Sequence, residues 1–360
     1  MAVLKRPTIR DVAARAGVSH QTVSRVINGH GSVSEDTRER VRAAIEQLGY
    51  VPSPIARGLI SDRTHSLGLV TSEISDHFFA EVAAGAEVEA RRRGYYLMIA
   101  SVEESAPGDE HAYLRLMLER RVEGLIIASP SPPLSADHVL PGLTERVPIV
   151  ALAASHDLSG VTVVDVDNER GGFDATTLLL ERGHRRIATI TGPGEWPSAA
   201  YRLDGYFNAL HQAGVEPDAS LVEHCEDWGL AAGQEGVRRL LERGARFTAI
   251  FAQSDLIAIG AIQMLRAHGL GVPDDVSVVG YDDIPMAAFV DPALTTVNQP
   301  MREVGELAAG ILLDVLGGDG AAEQPPGVHL LPARVVVRES VGPPCDDGFR
   351  AERKEQAWRA

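Results

Sequence analysis

Cysteine is nearly missing from this 360-residue chain. Cys225 and Cys345 are its two, far apart and with no CxxC or CxxH neighbour. That excludes a disulfide scaffold and a cysteine-based zinc site, and it suits a reducing compartment. Aromatic residues make up 5%, so stacking does not dominate the surface chemistry. No run of about 18 apolar residues is present to span a bilayer. Lys5 and Arg6 are followed by no apolar stretch, so no secretory signal is expected. Nor does the chain carry GxxxxGK[ST], GxSxG or HExxH, and "TGPGEW" is no dinucleotide fingerprint. "DVDN", with Asp165, Asp167 and Asn168, lacks the later glutamate of a calcium loop. These absences predict no enzyme, cofactor or metal.

What is present begins with charge. The net charge is −16, which on its face disfavours nucleic acid. Residues 1–65 nevertheless carry +4, so the remainder carries −20. A small basic head on a large acidic body can approach phosphates while the body is repelled.

The head reads as three helices. Thr8 and Asp11 form a capping pair for "IRDVAARA", and Gly17 supplies the left-handed stop before Val18. Ser19 caps "HQTVSRVIN", in which Val23, Val26 and Ile27 face inward. Ser34 caps "EDTRERVRAAIEQL", which Gly49 ends. Two short helices across a glycine turn, with a third behind, describe a helix-turn-helix. The exposed N-terminal half of the second helix would enter the major groove, placing His20, Gln21 and Arg25 at base edges. Ser19, Thr22, Ser24, Asn28, Ser34, Thr37 and Tyr50 suit phosphate oxygens, which set register.

The motifs D-V-A-x-x-A-G-V-S, T-V-S-R-V-x-N, V-S-x-x-T-R-x-x-V and L-G-Y-x-P carry a resemblance. By them residues 8–59 resemble the DNA-binding head of the lactose/galactose-repressor (LacI/GalR) family. The resemblance implies a domain at 1–49 and a hinge over 50–64 that folds on DNA. In that hinge Leu59 wedges into the minor groove, flanked by Ala56 and Arg57. Pro54 and Gly58 stand where helix formers are commoner in the family.

From residue 65 apolar runs such as "SLGLVTS", "GLIIAS", "RRIATITG" and "SVVGYDD" alternate with amphipathic stretches. Such alternation predicts parallel sheets with right-handed crossovers and ligands at the carboxyl ends of the strands. The family implies an α/β periplasmic-binding-protein-like core, 65–343, of two Rossmann-like lobes. The first is expected at about 65–165 and 299–328, the second at about 166–298 and 329–343. Residues 344–360 lack apolar periodicity and are expected to be disordered.

Carried over residue by residue, the resemblance gives cleft positions. They are Asp76 and Phe78 (with Phe79) in the first lobe, then Trp196, Ser198, Arg202, Trp228, Ser254, Asp255, Asp282 and Gln299. Ser254 stands where an amide is usual, and Ala153 where sugar-responsive relatives often have an acid. Asp282 and Arg202 supply planar partners for adjacent hydroxyls, and the tryptophans an apolar face, which is what a sugar needs. The expected protein is a cytoplasmic, nucleoid-associated regulator, a repressor of carbohydrate genes. It would bind a palindromic operator as a homodimer through first-lobe helices, tuned by a mono- or oligosaccharide. Two other readings remain: a solute-binding protein of the same core, or a regulator sensing a nucleobase or nucleoside.

Overall fold

The computed structural model describes residues 7–28, 32–51, 63–71, 74, 76–101, 109–128, 143, 147–156, 158, 160–318 and 326–345. It has two compact units, Met1–His65 and Ser66–Ala360. The hinge positions Ala56, Arg57 and Leu59, the side chain of Asn28 and the tail 346–360 lie outside the described residues.

In the first unit, α1 spans Ile9–Ala16, α2 His20–Asn28 and α3 Glu35–Leu48. Thr8 and Asp11 close a full capping box on α1: Thr8 N–H donates to Asp11 Oδ2 at 2.7 Å and Asp11 N–H to Thr8 Oγ1 at 3.4 Å. Gly17 (φ +67°) and Gly49 (φ +58°) take the left-handed conformation at the ends of α1 and α3, as expected. Val12, Ala13, Ala16, Val23, Val41 and Ala44 form the small core. One cap differs from expectation. Ser34 makes no side-chain bond to the α3 backbone; its hydroxyl donates to Thr37 Oγ1 at 2.9 Å.

The second unit opens with β1 (Ser66–Thr71), α4 (His77–Arg92), β2 (Tyr96–Ser101), α5 (Asp109–Glu119), β3 (Gly124–Ala128), β4 (Ile149–Leu152) and β5 (Thr162–Val166). There follow α6 (Asn168–Glu181), β6 (Ile187–Thr191), α7 (Pro197–Gln212), β7 (Val222–His224), α8 (Leu230–Glu242), β8 (Ala249–Ala252), α9 (Asp255–Ala267) and β9 (Ser277–Val279). The chain ends with β10 (Thr296–Asn298), α10 (Met301–Gly317), β11 (Val328–Leu331) and β12 (Arg334–Val336). One parallel sheet has the order β11-β5-β4-β3-β1-β2, the other β7-β6-β8-β9. Strands β1, β3, β6 and β8 are buried along their whole length, which suits sheets covered on both faces by helices. Helix α10 returns to the first lobe and packs on α4, with Gly85 and Gly305 each lying against the other helix's backbone.

The second lobe was expected to gain the strand after residue 329. Instead β11 runs parallel to β5, pairing Val328 with Val163 and Leu331 with Val166, so it extends the first sheet. Only then does the chain cross, and β12 pairs antiparallel with β10. The cause is geometric: β5 is the open edge of a parallel sheet, and a strand returning after α10 on the same lobe completes it.

A buried histidine ties the second lobe together. His184, 1% exposed, places Nδ1 2.8 Å from Thr248 Oγ1, and Nε2 3.1 Å from Ser277 Oγ and 3.0 Å from the Gly342 carbonyl. A carbonyl can only accept, so Nε2 carries the proton and Nδ1 accepts. Burial lowers the pKa, with the Gly342 carbonyl pulling the other way. The neutral form is therefore favoured in the fold. Its stabilisation is complete above the unfolded value of about 6.5 and is lost as pH falls below it. Thermal midpoints of the wild type are expected to drop between pH 7 and pH 5. His184→Asn should flatten that drop; an equal slope in both proteins would assign the loss to other groups.

Candidate functional site

On the head, the side chains chosen for base reading stand free of the core. His20, Gln21 and Arg25 are exposed along one face of α2, while Val23 is fully buried on the other. Ser19 Oγ accepts from the Thr22 amide at 3.1 Å and lies 2.9 Å from Thr22 Oγ1, fixing the N-terminus of the helix. Ser24 is half-buried, Ser34 and Thr37 are hydrogen-bonded to each other, and the Tyr50 ring packs against the head's core. Arg40 Nη1 donates to the Ala16 carbonyl at 3.3 Å, holding α3 to the turn.

In the second unit, residues that follow the carboxyl ends of β5, β8 and β9 converge on Arg202. This arginine projects from α7, which starts at Pro197 just after Trp196. It is 4% exposed, and two of its three guanidinium nitrogens meet protein acceptors. Nε donates to Asn168 Oδ1 at 2.8 Å and Nη1 to the Gln253 carbonyl at 2.6 Å. Asp282 Oδ1 lies 3.8 Å from Nη1. The guanidinium sits 3.8 Å from the ring centre of Tyr281 and 5.4 Å from that of Trp228. Such a sandwich leaves the planar fork with one rigid orientation.

Asp282 is the neighbouring acceptor. It adopts φ +120°, a backbone conformation that side chains rarely take, and it receives a hydrogen bond from Gln299 Nε2 at 2.6 Å. Strain of this kind persists where surrounding contacts over-determine it. Burial raises the pKa of the Asp282 carboxyl. The negative charge of Asp76 adds to that rise, against the opposing pull of Arg202 and Gln299. Asp76 belongs to the first lobe, where its Oδ1 accepts from the Phe78 amide at 2.7 Å and caps α4. The aromatic wall crosses between lobes too. Phe78 stands on Phe79 (4.9 Å), Phe79 faces Trp196 (6.5 Å), and Trp196 meets Trp228 edge-on (5.7 Å, 90°).

Asp76, Phe78, Trp196, Arg202, Trp228, Asp282 and Gln299 are thus brought together. The Asp255 carboxylate is engaged by the second lobe itself. It is wholly buried, with Oδ1 accepting from Thr296 Oγ1 at 2.5 Å and Oδ2 from the Ile284 amide at 2.9 Å. Burial, then the nearby Asp282, raises its pKa. It braces the loop that carries Asp282. Ser254 caps α9 through the Ile257 amide (3.1 Å) and donates to the Trp228 carbonyl (2.9 Å), so it too is spent on structure. Ser198 is buried in the first turn of α7. Sequence reasoning missed Asn168, Gln253 and Tyr281 as Arg202 partners. Asn168 lay in the "DVDN" motif weighed as a metal ligand, and its place just after β5 was the available signal.

Comparison with known proteins decides what this arrangement belongs to. Residues 8–53 match the model of bacterial regulatory proteins of the lacI family, and residues 176–341 match a periplasmic binding protein-like domain. Over 346 residues the chain is 40% identical to the HTH-type transcriptional regulator CelR of Thermobifida fusca, covering 93% of this chain and 98% of that protein. The chain belongs to the lacI family. As a lacI-family member it is a DNA-binding transcriptional regulator, and the helix-turn-helix head and two-lobed α/β core expected from sequence are borne out. It is also 32% identical to the HTH-type transcriptional repressor CytR of Escherichia coli K12, over 92% of this chain and 96% of that one. The crystal structure of the lac repressor dimer bound to operator and the anti-inducer ONPF matches with a TM-score of 0.86. It is 32% identical, and the match covers 94% of this chain and 100% of that one. A CelR–cellobiose complex matches with a TM-score of 0.69 at 38% identity, over 93% and 100%. These lacI-family relatives bear the names of regulators and repressors, not enzymes. Among the described residues no helix is long and apolar enough to cross a membrane.

Proposed function

We propose that this regulator is a cytoplasmic repressor of carbohydrate-utilisation genes. It binds a palindromic operator as a homodimer, and a neutral mono- or oligosaccharide between its lobes sets the affinity. One observation carries the reading: Arg202 and Asp282 present a fork and a carboxylate side by side, beneath the aromatic wall of Trp196 and Trp228. Adjacent sugar hydroxyls pair with the first, and the ring's C–H face lies on the second. The CelR–cellobiose complex among similar structures supports the same class. A dimer is supported by the lac repressor match, and by apolar Tyr96, Ile99 and Leu116 left exposed on edge strand β2 and helix α5. Leu59 with Ala56 and Arg57 would wedge the minor groove. Ser19, Thr22, Ser24, Asn28, Ser34, Thr37 and Tyr50 would meet phosphates.

A ligand shifts operator affinity only as far as it distinguishes the two lobe arrangements. The test is calorimetry against cellobiose and a panel of mono- and disaccharides, nucleosides and nucleobases, followed by operator titration with each binder. One saccharide should bind and change operator affinity by roughly 5–150-fold. Binding of a nucleoside alone would replace the sugar reading.

Base reading has its own check. Arg25→Ala should cost about 1–3 kcal/mol on the preferred duplex and relax the preference at a single base pair in each half-site. Equal losses on operator and random duplex would make Arg25 a phosphate contact.

A further inference from the structure

A second set of contacts joins the lobes beside Arg202, and it uses residues with no part in the wall or fork. Strand β4 ends at Leu152, and Ala153 follows with φ +53°, turning the chain sharply out of the sheet. Three residues on, the His156 ring stacks on Tyr201, with centroids 4.4 Å apart and planes 19° from parallel. The His156 amide also donates to the Tyr201 hydroxyl at 3.1 Å. His156 belongs to the first lobe; Tyr201 lies on α7 of the second, next to Arg202 in sequence. A β4–β5 loop of one lobe is therefore fastened, by ring and by backbone, to the helix that carries the site's arginine.

The same histidine reaches Arg202 by a polar route. His156 Nε2 lies 3.4 Å from Oδ2 of Asp165, which is 3% exposed at the end of β5. Asp165 Oδ1 accepts from the Val166 amide at 2.8 Å, and Asn168 Nδ2 lies 3.4 Å from each carboxylate oxygen. Asn168 Nδ2 also donates to the Val166 carbonyl at 3.1 Å. That fixes the amide so that its oxygen faces Arg202 Nε. An amide held this way has one useful orientation, and it dictates where the guanidinium points.

We infer that His156 and Tyr201 clasp the first lobe to α7 and so act as positioning residues for Arg202, an inference resting on the proposed ligand role of that arginine. The clasp closes only when the lobes stand as they do here. Arg202 therefore holds its ligand-ready orientation in this arrangement and loses support when the lobes part.

Hydrogen–deuterium exchange of the full-length, ligand-free protein tests the clasp directly. Tyr201→Phe keeps the ring and removes only the acceptor; the His156 amide is expected to exchange about tenfold faster. His156→Ala removes the stack, and exchange should also rise at least threefold across residues 197–203 on the opposite lobe. His156→Phe keeps a stacking ring and should restore much of that protection. Melting midpoints close to wild type in all three show the fold intact. Unchanged exchange at 197–203 in His156→Ala overturns the clasp. With any saccharide the wild type binds, His156→Ala should weaken binding about fivefold or more; equal affinity overturns the positioning role. If no saccharide binds, the sugar reading falls while the exchange result still decides the clasp.

Discussion

Arg202→Lys is expected to lower saccharide affinity by about 100-fold, or about 2.7 kcal/mol, although the charge is kept. The loss follows from geometry. Lysine presents a point charge on a flexible stem and cannot place one donor on Asn168, a second on the Gln253 carbonyl and a face on Tyr281 together. Hydrogen bonds to charged groups contribute about 1.5–3 kcal/mol each, so losing one aligned arm accounts for the effect. Arg202→Ala is the poorer experiment. It would leave Asp282 and Asn168 without their cation in a buried site, and instability would mask the binding defect. Isothermal calorimetry of the lysine variant, with a melting curve beside it, separates the two. An affinity within threefold of wild type would mean that the ligand does not touch the fork. Operator binding without ligand should stay near wild type, because the head's reading face holds no residue of the cleft.

Much of this was legible in the chain itself, and the reason differs by element. The head was read almost residue by residue because its signals are local: a capping box at Thr8 and Asp11, glycines at 17 and 49, and apolar spacing on three short helices. The βα alternation announced itself by period, and Arg202, Asp282 and the tryptophans by motif. What escaped depends on contacts distant in sequence. Nothing around Ser34 shows that its hydroxyl prefers Thr37 to the backbone. The destination of β11 is settled by which sheet has a free edge, a property of the assembled lobe. Asp255 reads as a ligand acid through the family resemblance of its segment. Only the fold reveals Thr296, 41 residues away, and the Ile284 amide filling its lone pairs. The partners of Arg202 are likewise 34 and 51 residues from it.

The close approach of α6 and α7 is equally invisible in sequence, and it carries the second large prediction. Gly172→Ala should lower the melting midpoint of the second unit and weaken saccharide binding together. A Cβ at Gly172 would lie 2.3 Å from the Arg202 carbonyl oxygen and 2.9 Å from its Cα. Gly205 returns the contact, its own Cβ falling 2.1 Å from the Glu169 carbonyl oxygen. These are backbone atoms, so no rotamer relieves the clash; α7 must move out, and Arg202 with it. Overpacking typically costs about 1–3 kcal/mol, and alanine recovers about 1 kcal/mol of that through helix propensity. With about 1 kcal/mol left over, a drop of about 2 °C is the expected outcome for a unit this size. Saccharide affinity should fall at least tenfold as Arg202 leaves Asn168. Gly194→Ala, where a Cβ meets nothing within 4 Å, serves as the control and should change neither quantity. If Gly172→Ala melts and binds like the control, the two helices are not in backbone contact. The site would then owe its geometry to the polar partners of Arg202 alone.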